Sequence, residues 1–381
     1  MKNKLFHMVY ILFLLSICTG CWNFERLSER GLVTGMAFDK GNPGYKVGLE
    51  SIEFGKGKSG EGNTQAGKPY VLVSKTDKES LEGALHGTQY RLVGLAFFPD
   101  YRIFIVGKEL AQHGIKPIFD HQIRDPDMRR NTQIIIADGS AIDLLKITPK
   151  ESHFTGEYLE GLVKRNEKAG HVIASDIGKT FRAMVEHGTG LIPIVKMAKD
   201  KKGAKVETFA VIKNFKMVDI LNHAESEYVT LLRDVYKRTH SLMFSLGIPC
   251  KQKKDMSIDA DIVKSKVKLE PRIEDNHLTI SGKLTLKGYI SEFACSNGKM
   301  DGNATLENTE KYMAKQTEIK LKEHVERALH RSGADLLDLQ RIFRRDKKLW
   351  NKVKGHMDEL MKTADINIEV DIQLTLKGTE T

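Results

Sequence analysis

Cysteine is scarce in this 381-residue chain. There are four, and two of them, Cys18 and Cys21, stand almost together near the start. So low a count excludes a scaffold stapled by several disulfides. The other two, Cys250 and Cys295, lie far apart without a ligand-spaced His pair, which excludes a structural zinc site. Long apolar runs are also missing. The longest, Leu5 to Leu15, falls short of the roughly 20 residues a helix needs to cross a bilayer. Catalytic signatures are absent as well: there is no Gly-x-Ser-x-Gly elbow and no His-Glu-x-x-His helix among the 13 scattered histidines. Gly62-Asn63-Thr64-Gln65-Ala66-Gly67-Lys68 has the glycine spacing and lysine of a phosphate-binding loop. However, Pro69 stands where Ser or Thr would hold Mg²⁺, and a strand rather than a helix follows. These absences point away from an enzyme and call for no metal or cofactor.

What is present begins with the leader. Met1-Lys2-Asn3-Lys4 is basic, the apolar run follows, and Thr19-Gly20-Cys21 closes it. A basic start, an apolar stretch and small residues before a cysteine are the layout of an exported lipoprotein precursor. Ile17 before Cys18 fits a small-residue cleavage pocket poorly, so Cys21 is the expected lipid-bearing residue. Residues 1–20 would then be the signal peptide, with Cys18 where a lipobox usually carries Leu. An ordinary cleaved signal and a retained anchor are the alternatives. All three place the rest of the chain outside the cytoplasm. There a Cys250–Cys295 disulfide is open, though sequence does not fix its geometry.

The charge is +10. Losing residues 1–20 takes away Lys2 and Lys4 and no acid, so +10 becomes +8. A basic chain on a lipid suits an anionic membrane face or wall polymer. Export argues against nucleic acid, the other usual partner of basic proteins.

Along the chain, residues 29–54 alternate around the turn Lys40-Gly41-Asn42-Pro43-Gly44 and read as a β-hairpin. A strand follows at 70–73, then a helix over 74–92 capped by Thr76 or Asp77. Strands are expected at 102–106, 131–137 and 191–195, with helices over 108–123, 141–146 and, as two patterns, 155–189. The charged loop Lys199–Gly203 reads as a boundary. Beyond it come a hairpin (208–212, 216–220) turning near Asn214 and a helix over 226–238. Two long alternating segments, 256–269 and 277–289, lead to helices over 306–332 and 334–361, the second interrupted near Asp346 or Gly355. A last strand occupies 366–374. Alternation buries one sheet face, so segments 256–269, 277–289 and 366–374 are expected to share an antiparallel sheet covered by the late helices. Trp350 reads as a core anchor of its helix. The fold class is α+β, multidomain, with mixed and antiparallel sheets flanked by helices. The expected regions are 21–195 and 200–377, with 200–262 as a candidate small unit of its own.

The pattern resembles a known family. It begins at Cys21-Trp22-Asn23 and continues through Glu29-Arg30-Gly31-Leu32-Val33-Thr34-Gly35-Met36-Ala37-Phe38-Asp39-Lys40. It includes Ile123-Arg124-Asp125-Pro126-Asp127-Met128-Arg129 and reaches Gly333-Ala334-Asp335-Leu336-Leu337 and Lys348-Leu349-Trp350. Over residues 21–377 the chain is similar to the C-subunit lipoproteins of spore germination receptors, the Ger(x)C family. Phe97-Phe98-Pro99-Asp100 departs from the aromatic-Gly-His sequence often found there. The resemblance implies a non-catalytic subunit that assembles or couples a nutrient germinant receptor. It would be held by its lipid on the outer face of the spore inner membrane, beside two polytopic partners, the A and B subunits. A contact patch is expected at Arg124, Asp125, Arg129 and Arg130, where charge is dense beside Pro126. The rival reading is a solute-binding lipoprotein of an importer. The alternating segments argue against it, because parallel strands buried on both faces read as continuous apolar runs.

Overall fold

The computed structural model describes residues 30–53, 69–75, 80–92, 95–98, 101–233, 244–249, 257–293 and 306–376. The first sheet contains β1 (Arg30–Lys40), β2 (Tyr45–Glu53), β3 (Tyr70–Lys75), β4 (Leu95–Phe97), β5 (Ile103–Gly107), β6 (Gln133–Ala137), β7 (Thr189–Met197), β8 (Ala204–Lys213) and β9 (Lys216–Ile220). Their order is β3-β2-β1-β5-β6-β7-β8-β9, with β4 beside β1. The centre, β1-β5-β6-β7, is parallel, and antiparallel hairpins form both wings.

Successive strand residues point to opposite faces, yet neighbours such as Phe104 and Ile105 are both buried. The reason is a helix layer on each side. One face packs α1 (Leu81–Gln89), α2 (Lys108–His113), α3 (Lys116–Arg124) and α6 (Ile177–His187) onto Phe38, Phe104, Ile134 and Ile192. The other packs α4 (Ala141–Leu145) and α5 (Thr155–Lys168) onto Ala37, Ile105 and Ile135. Each fully buried Ile or Phe contributes about 1.5–3 kcal/mol, so the apolar runs in β5, β6 and β7 stabilise both interfaces at once.

Two buried carboxylates fasten the second helix layer. Asp39 Oδ1 and Oδ2 accept from the Ala141 and Ile142 N–H groups at 2.7 and 3.0 Å, and the Ser140 hydroxyl donates to Oδ2. Glu50 accepts from Thr155 N at 2.6 Å, Gly156 N at 2.8 Å and the Thr34 hydroxyl at 2.7 Å. A helix N-terminus exposes unpaired N–H groups and a positive dipole end, and a carboxylate satisfies both. Gly156 permits the close approach of α5, since a Cβ there would sit 2.4 Å from Thr34 O.

The second sheet has the order β10-β11-β12-β13, from Phe244–Pro249, Ser257–Glu274, His277–Phe293 and Asp365–Leu376. Its inner face, including Ile262, Leu278, Ile280, Leu284, Leu286, Ile366, Val370 and Ile372, packs on α8 (Leu306–Ser332), α9 (Gln340–Phe343), α10 (Lys347–Val353) and α11 (Met357–Lys362). Leu191, Phe209 and Val211 of the first sheet and Leu221, Tyr228 and Val229 around α7 (His223–Leu232) belong to the same core. The two sheets therefore share buried apolar surface. Trp350 packs half-buried against this core, with the Arg344 guanidinium 4.7 Å from its ring centroid. The outer face carries no layer among the described residues: Lys264, Lys266, Lys268, Lys283 and Lys287 are exposed.

Helix α8 also closes the outer edge of β13. Glu310, Glu318 and Glu326, eight residues apart, accept from the backbone N–H groups of Leu374, Val370 and Ile366, four residues apart, at 2.6, 3.1 and 2.8 Å. Eight helical residues rise about 12 Å and four strand residues about 13 Å, so the repeats stay in register. A bare edge invites pairing with other chains. Here carboxylates occupy it.

Several expectations are corrected. The helix expected over 74–92 is described as Leu81–Gln89, capped by Ser80, whose Oγ accepts from Gly83 N. The Thr76 and Asp77 candidates lie outside the described residues. The helix expected over 108–123 is two, broken at Gly114, whose φ of 141° no helix holds. Strand β13 joins its sheet parallel to β12, not antiparallel, because the helical crossover returns the chain to the same end of the sheet. The charged loop Lys199–Gly203 is the tip of the β7–β8 hairpin. Regions 21–195 and 200–377 are thus joined through a continuous ladder. Residues 200–262 form no unit of their own: β8 and β9 extend the first sheet, whereas β10 and the start of β11 belong to the second.

Candidate interaction surface

Helix α3 ends in a turn that places the charged patch. Asp125 N donates to His121 O at 3.0 Å, and Asp125 Oδ1 accepts from Asp127 N at 2.9 Å, folding the chain over Pro126. Met128, buried, pins the turn to the core. Arg130 is held from both ends: its guanidinium donates to Ile123 O at 3.3 Å, and its carbonyl accepts from Gly178 N at 2.7 Å. Arg124 and Arg129 are exposed. Among the described residues neither has a carboxylate within ion-pair distance.

Beside this turn lies an open groove of about 460 Å³ between the end of α3 and helix α6. Ile123, Phe181 and Val185 give it an apolar wall, and Arg130, Lys179 and Arg182, with Asp176 and Glu186, a charged rim. Val185 is 63% exposed, so the groove presents apolar surface to solvent. Of the four expected patch residues, Arg130 lines the groove. Arg124, Asp125 and Arg129 stand on the adjoining turn and do not line it. Sequence reasoning missed Lys179, Arg182 and Val185. The available signal was Val185 itself, an apolar residue off the buried stripe that Ile177, Thr180 and Met184 define on α6.

The same helix touches the second region. Gln340 Nε2 donates to His187 O at 2.8 Å, and the Arg344 guanidinium donates to Glu186 O. A stronger seam lies nearby. Arg331 of α8 forks onto Glu225 through two 2.8 Å bonds and donates through Nε to Asp219 at 2.7 Å. Burial works against the Glu225 charge. The Arg331 hydrogen bonds, the Asn222 N–H and the Arg331 charge outweigh it and hold the carboxyl below its usual range. Lys213 of β8 meets Asp358 at 2.6 Å.

The buried acids Asp39, Glu50, Asp176, Glu225 and Asp335 each accept from a helix N-terminal amide. For Glu225 that amide is the Asn222 cap. Two of the five also reach clefts: Asp176 lines the groove between α3 and α6, and Asp39 a second cleft of about 620 Å³. Among the described residues no cluster of three His, Cys, Asp or Glu could hold a metal ion, and no helix is long and apolar enough to cross a membrane. Cys21, Cys250 and Cys295 and the Gly62–Lys68 loop lie outside the described residues.

Comparison with known proteins supplies the context. The family described as "Spore germination protein N-terminal domain" matches residues 23–197, and "Spore germination B3/ GerAC like, C-terminal" matches residues 207–378. The two segments meet within the β7–β8 hairpin. Among curated proteins, Spore germination protein B3 of Bacillus subtilis (strain 168) is 26% identical over 100% of this chain and 99% of its own length. Spore germination protein KC of the same organism is 20% identical over 97% of this chain and 96% of its own. The crystal structure of the GerBC protein shares the fold, with a TM-score of 0.54 at 23% identity over 92% of this chain and 99% of that one.

Proposed function

Because the chain belongs to the GerAC-type spore germination family, matched over both of its regions, we propose that it is a non-catalytic subunit of a nutrient germinant receptor, needed for assembly or signal coupling. In this reading Cys21 carries the lipid that holds it on the outer face of the spore inner membrane, with A and B membrane subunits as partners. The observation that carries the proposal is the end-to-end family match, which starts two residues after Cys21. The commitment of the buried carboxylates to helix amides supports a scaffold rather than a reaction centre. The basic turn and the Ile123–Val185 groove are the proposed contact with a membrane subunit, because exposed apolar surface rimmed by charge is what a docking site offers. Export also makes a Cys250–Cys295 bridge part of the reading. A mature chain that titrates with two free thiols would remove it.

Deleting the gene should abolish germination with one receptor's nutrients and leave receptor-independent germination intact. Normal germination with every nutrient, in a strain holding no duplicate receptor, would overturn the proposal. Cys21→Ala should yield an unlipidated chain lost from the membrane, since stable anchoring takes two acyl signals; unchanged mass and retention would reject the lipid assignment. Reversing Arg124, Asp125, Arg129 and Arg130 together should reduce recovery of the membrane subunits, and reversing Arg124 and Arg129 alone, which hold no part of the turn, should reduce it without lowering the melting temperature. Unchanged recovery would remove the patch alone.

A further inference from the structure

The outer face of the second sheet carries a charge arrangement that folding does not explain. Outward positions of β11 from 264 to 272 and of β12 from 279 to 287 hold Lys264, Lys266, Lys268, Arg272, Lys283 and Lys287 with one carboxylate, Glu270, while the acids of this face gather on β13 beyond them, at Asp365, Glu369 and Asp371. The register sets Lys264 directly opposite Lys287 and Lys268 opposite Lys283. Like charges facing each other across a ladder destabilise it, so two such pairs work against the sheet that contains them. Lys268 is relieved by Glu270 at 2.7 Å and Lys283 by Glu369 at 2.9 Å. Lys264, Lys266 and Lys287 have no such partner among the described residues. β10 pairs only with 257–262 of β11, so the basic strip also borders an edge open among the described residues.

The chemistry of the strip selects its occupant. A protein interface has an apolar core. Those outward positions of β11 and β12 are Lys, Arg, Glu, Ser and Thr, and among the described residues Val263, 39% exposed at the bulge, is the one exposed apolar side chain beside them. From Lys264 to Arg272 the strand runs about 26 Å, a face without a covering layer among the described residues. Four to eight cations on one surface and no apolar core are what an anionic headgroup layer attracts. We infer that the β11–β12 face lies against an anionic lipid bilayer and orients the molecule on it. The inference rests on the sheet alone and does not depend on the receptor role.

The test uses residues 22–381, unacylated, so that electrostatic attachment is read by itself; the omitted leader precedes the first described strand, β1. Sedimentation with vesicles of phosphatidylcholine containing 30% phosphatidylglycerol, against pure phosphatidylcholine, should show binding to the first only, lost at high salt. Each cation near such a surface changes partitioning by about fivefold. The triple variant Lys264→Gln, Lys266→Gln, Lys287→Gln should therefore bind about a hundredfold more weakly, with an unchanged melting temperature. The equal-charge control Lys347→Gln, Lys348→Gln, Lys352→Gln should retain most of the binding. No binding of the wild type, equal binding by the triple variant, or equal loss in the control would each overturn the inference. So would a triple variant that keeps vesicle binding but loses an acidic protein partner, which would assign the face to that partner.

Discussion

The two sheets answer the same problem in opposite ways. The first is covered on both faces, and its central strands are apolar at nearly every position. The second is covered on one face, and β11, β12 and β13 alternate, with lysine and acid outside and Leu, Ile and Val inside. The difference shows that a strand's composition records how many layers lie against it. It also shows where the molecule can meet others: the first sheet only at its helices and loops, the second across a whole face.

Paired truncations break this comparison if it is wrong, and they carry the largest expected effects. In β5, Phe104→Ala should cost about 3–5 kcal/mol and Ile105→Ala about 2–5 kcal/mol, because adjacent residues fill two cores. In β12, Leu284→Ala should cost about 2–5 kcal/mol, while its neighbour Thr285→Ala stays within about 0.5 kcal/mol. Urea titration of the four variants reads this directly. A large loss at Thr285 would mean that the outer face is covered after all.

The seam between the regions gives the next effect. Arg331→Met leaves Glu225 buried without its partner and should cost about 2–3 kcal/mol, less than a fully buried pair because Arg331 is partly solvated. It should also split one thermal transition into two, since the seam couples the two regions. Glu225 is held below its usual range in the folded state. Its contribution is therefore full above the unfolded carboxyl value, about pH 4.3, and is lost as pH falls through the folded value. The gap between wild type and Arg331→Met should be full near neutrality and close as the solution is acidified. A gap that widens in acid would contradict this sign.

Smaller again is the effect at the β13 edge. Each of Glu310→Ala, Glu318→Ala and Glu326→Ala should cost about 1 kcal/mol. The triple variant should self-associate through the freed strand, read by light scattering. A stable, monomeric triple variant would show that helix bulk rather than the carboxylates protects the edge.

Sequence patterning carried much of this. Alternation located β11 to β13, and the 306–332 helix stands where its spacing put it. Local signals failed where the deciding contact is distant. The parallel placement of β13 depends on a crossover of some seventy residues, and no pattern within 366–374 records it. Asp39 and Glu50 looked like ordinary strand polar residues because the helices they cap begin about a hundred positions later. The 108–123 pattern hid its break at Gly114, as helical spacing of apolar residues survives a two-residue interruption. The contact turn was legible as dense charge beside Pro126, but the groove was not, since its two walls come from helices more than fifty residues apart. The glutamate ladder was legible in principle: Glu310, Glu318 and Glu326 repeat every eight residues, a spacing that pays off only against a strand.

The central claim is that this chain works as one subunit of a membrane receptor. Affinity recovery of the full-length protein from detergent-solubilised spore membranes, followed by identification of what comes with it, tests that claim most directly. Two polytopic membrane proteins should come with it in amounts comparable to the bait, reduced when the charges of Arg124, Asp125, Arg129 and Arg130 are reversed. Recovery of the chain alone, or with the permease and ATPase of an importer, would contradict the claim.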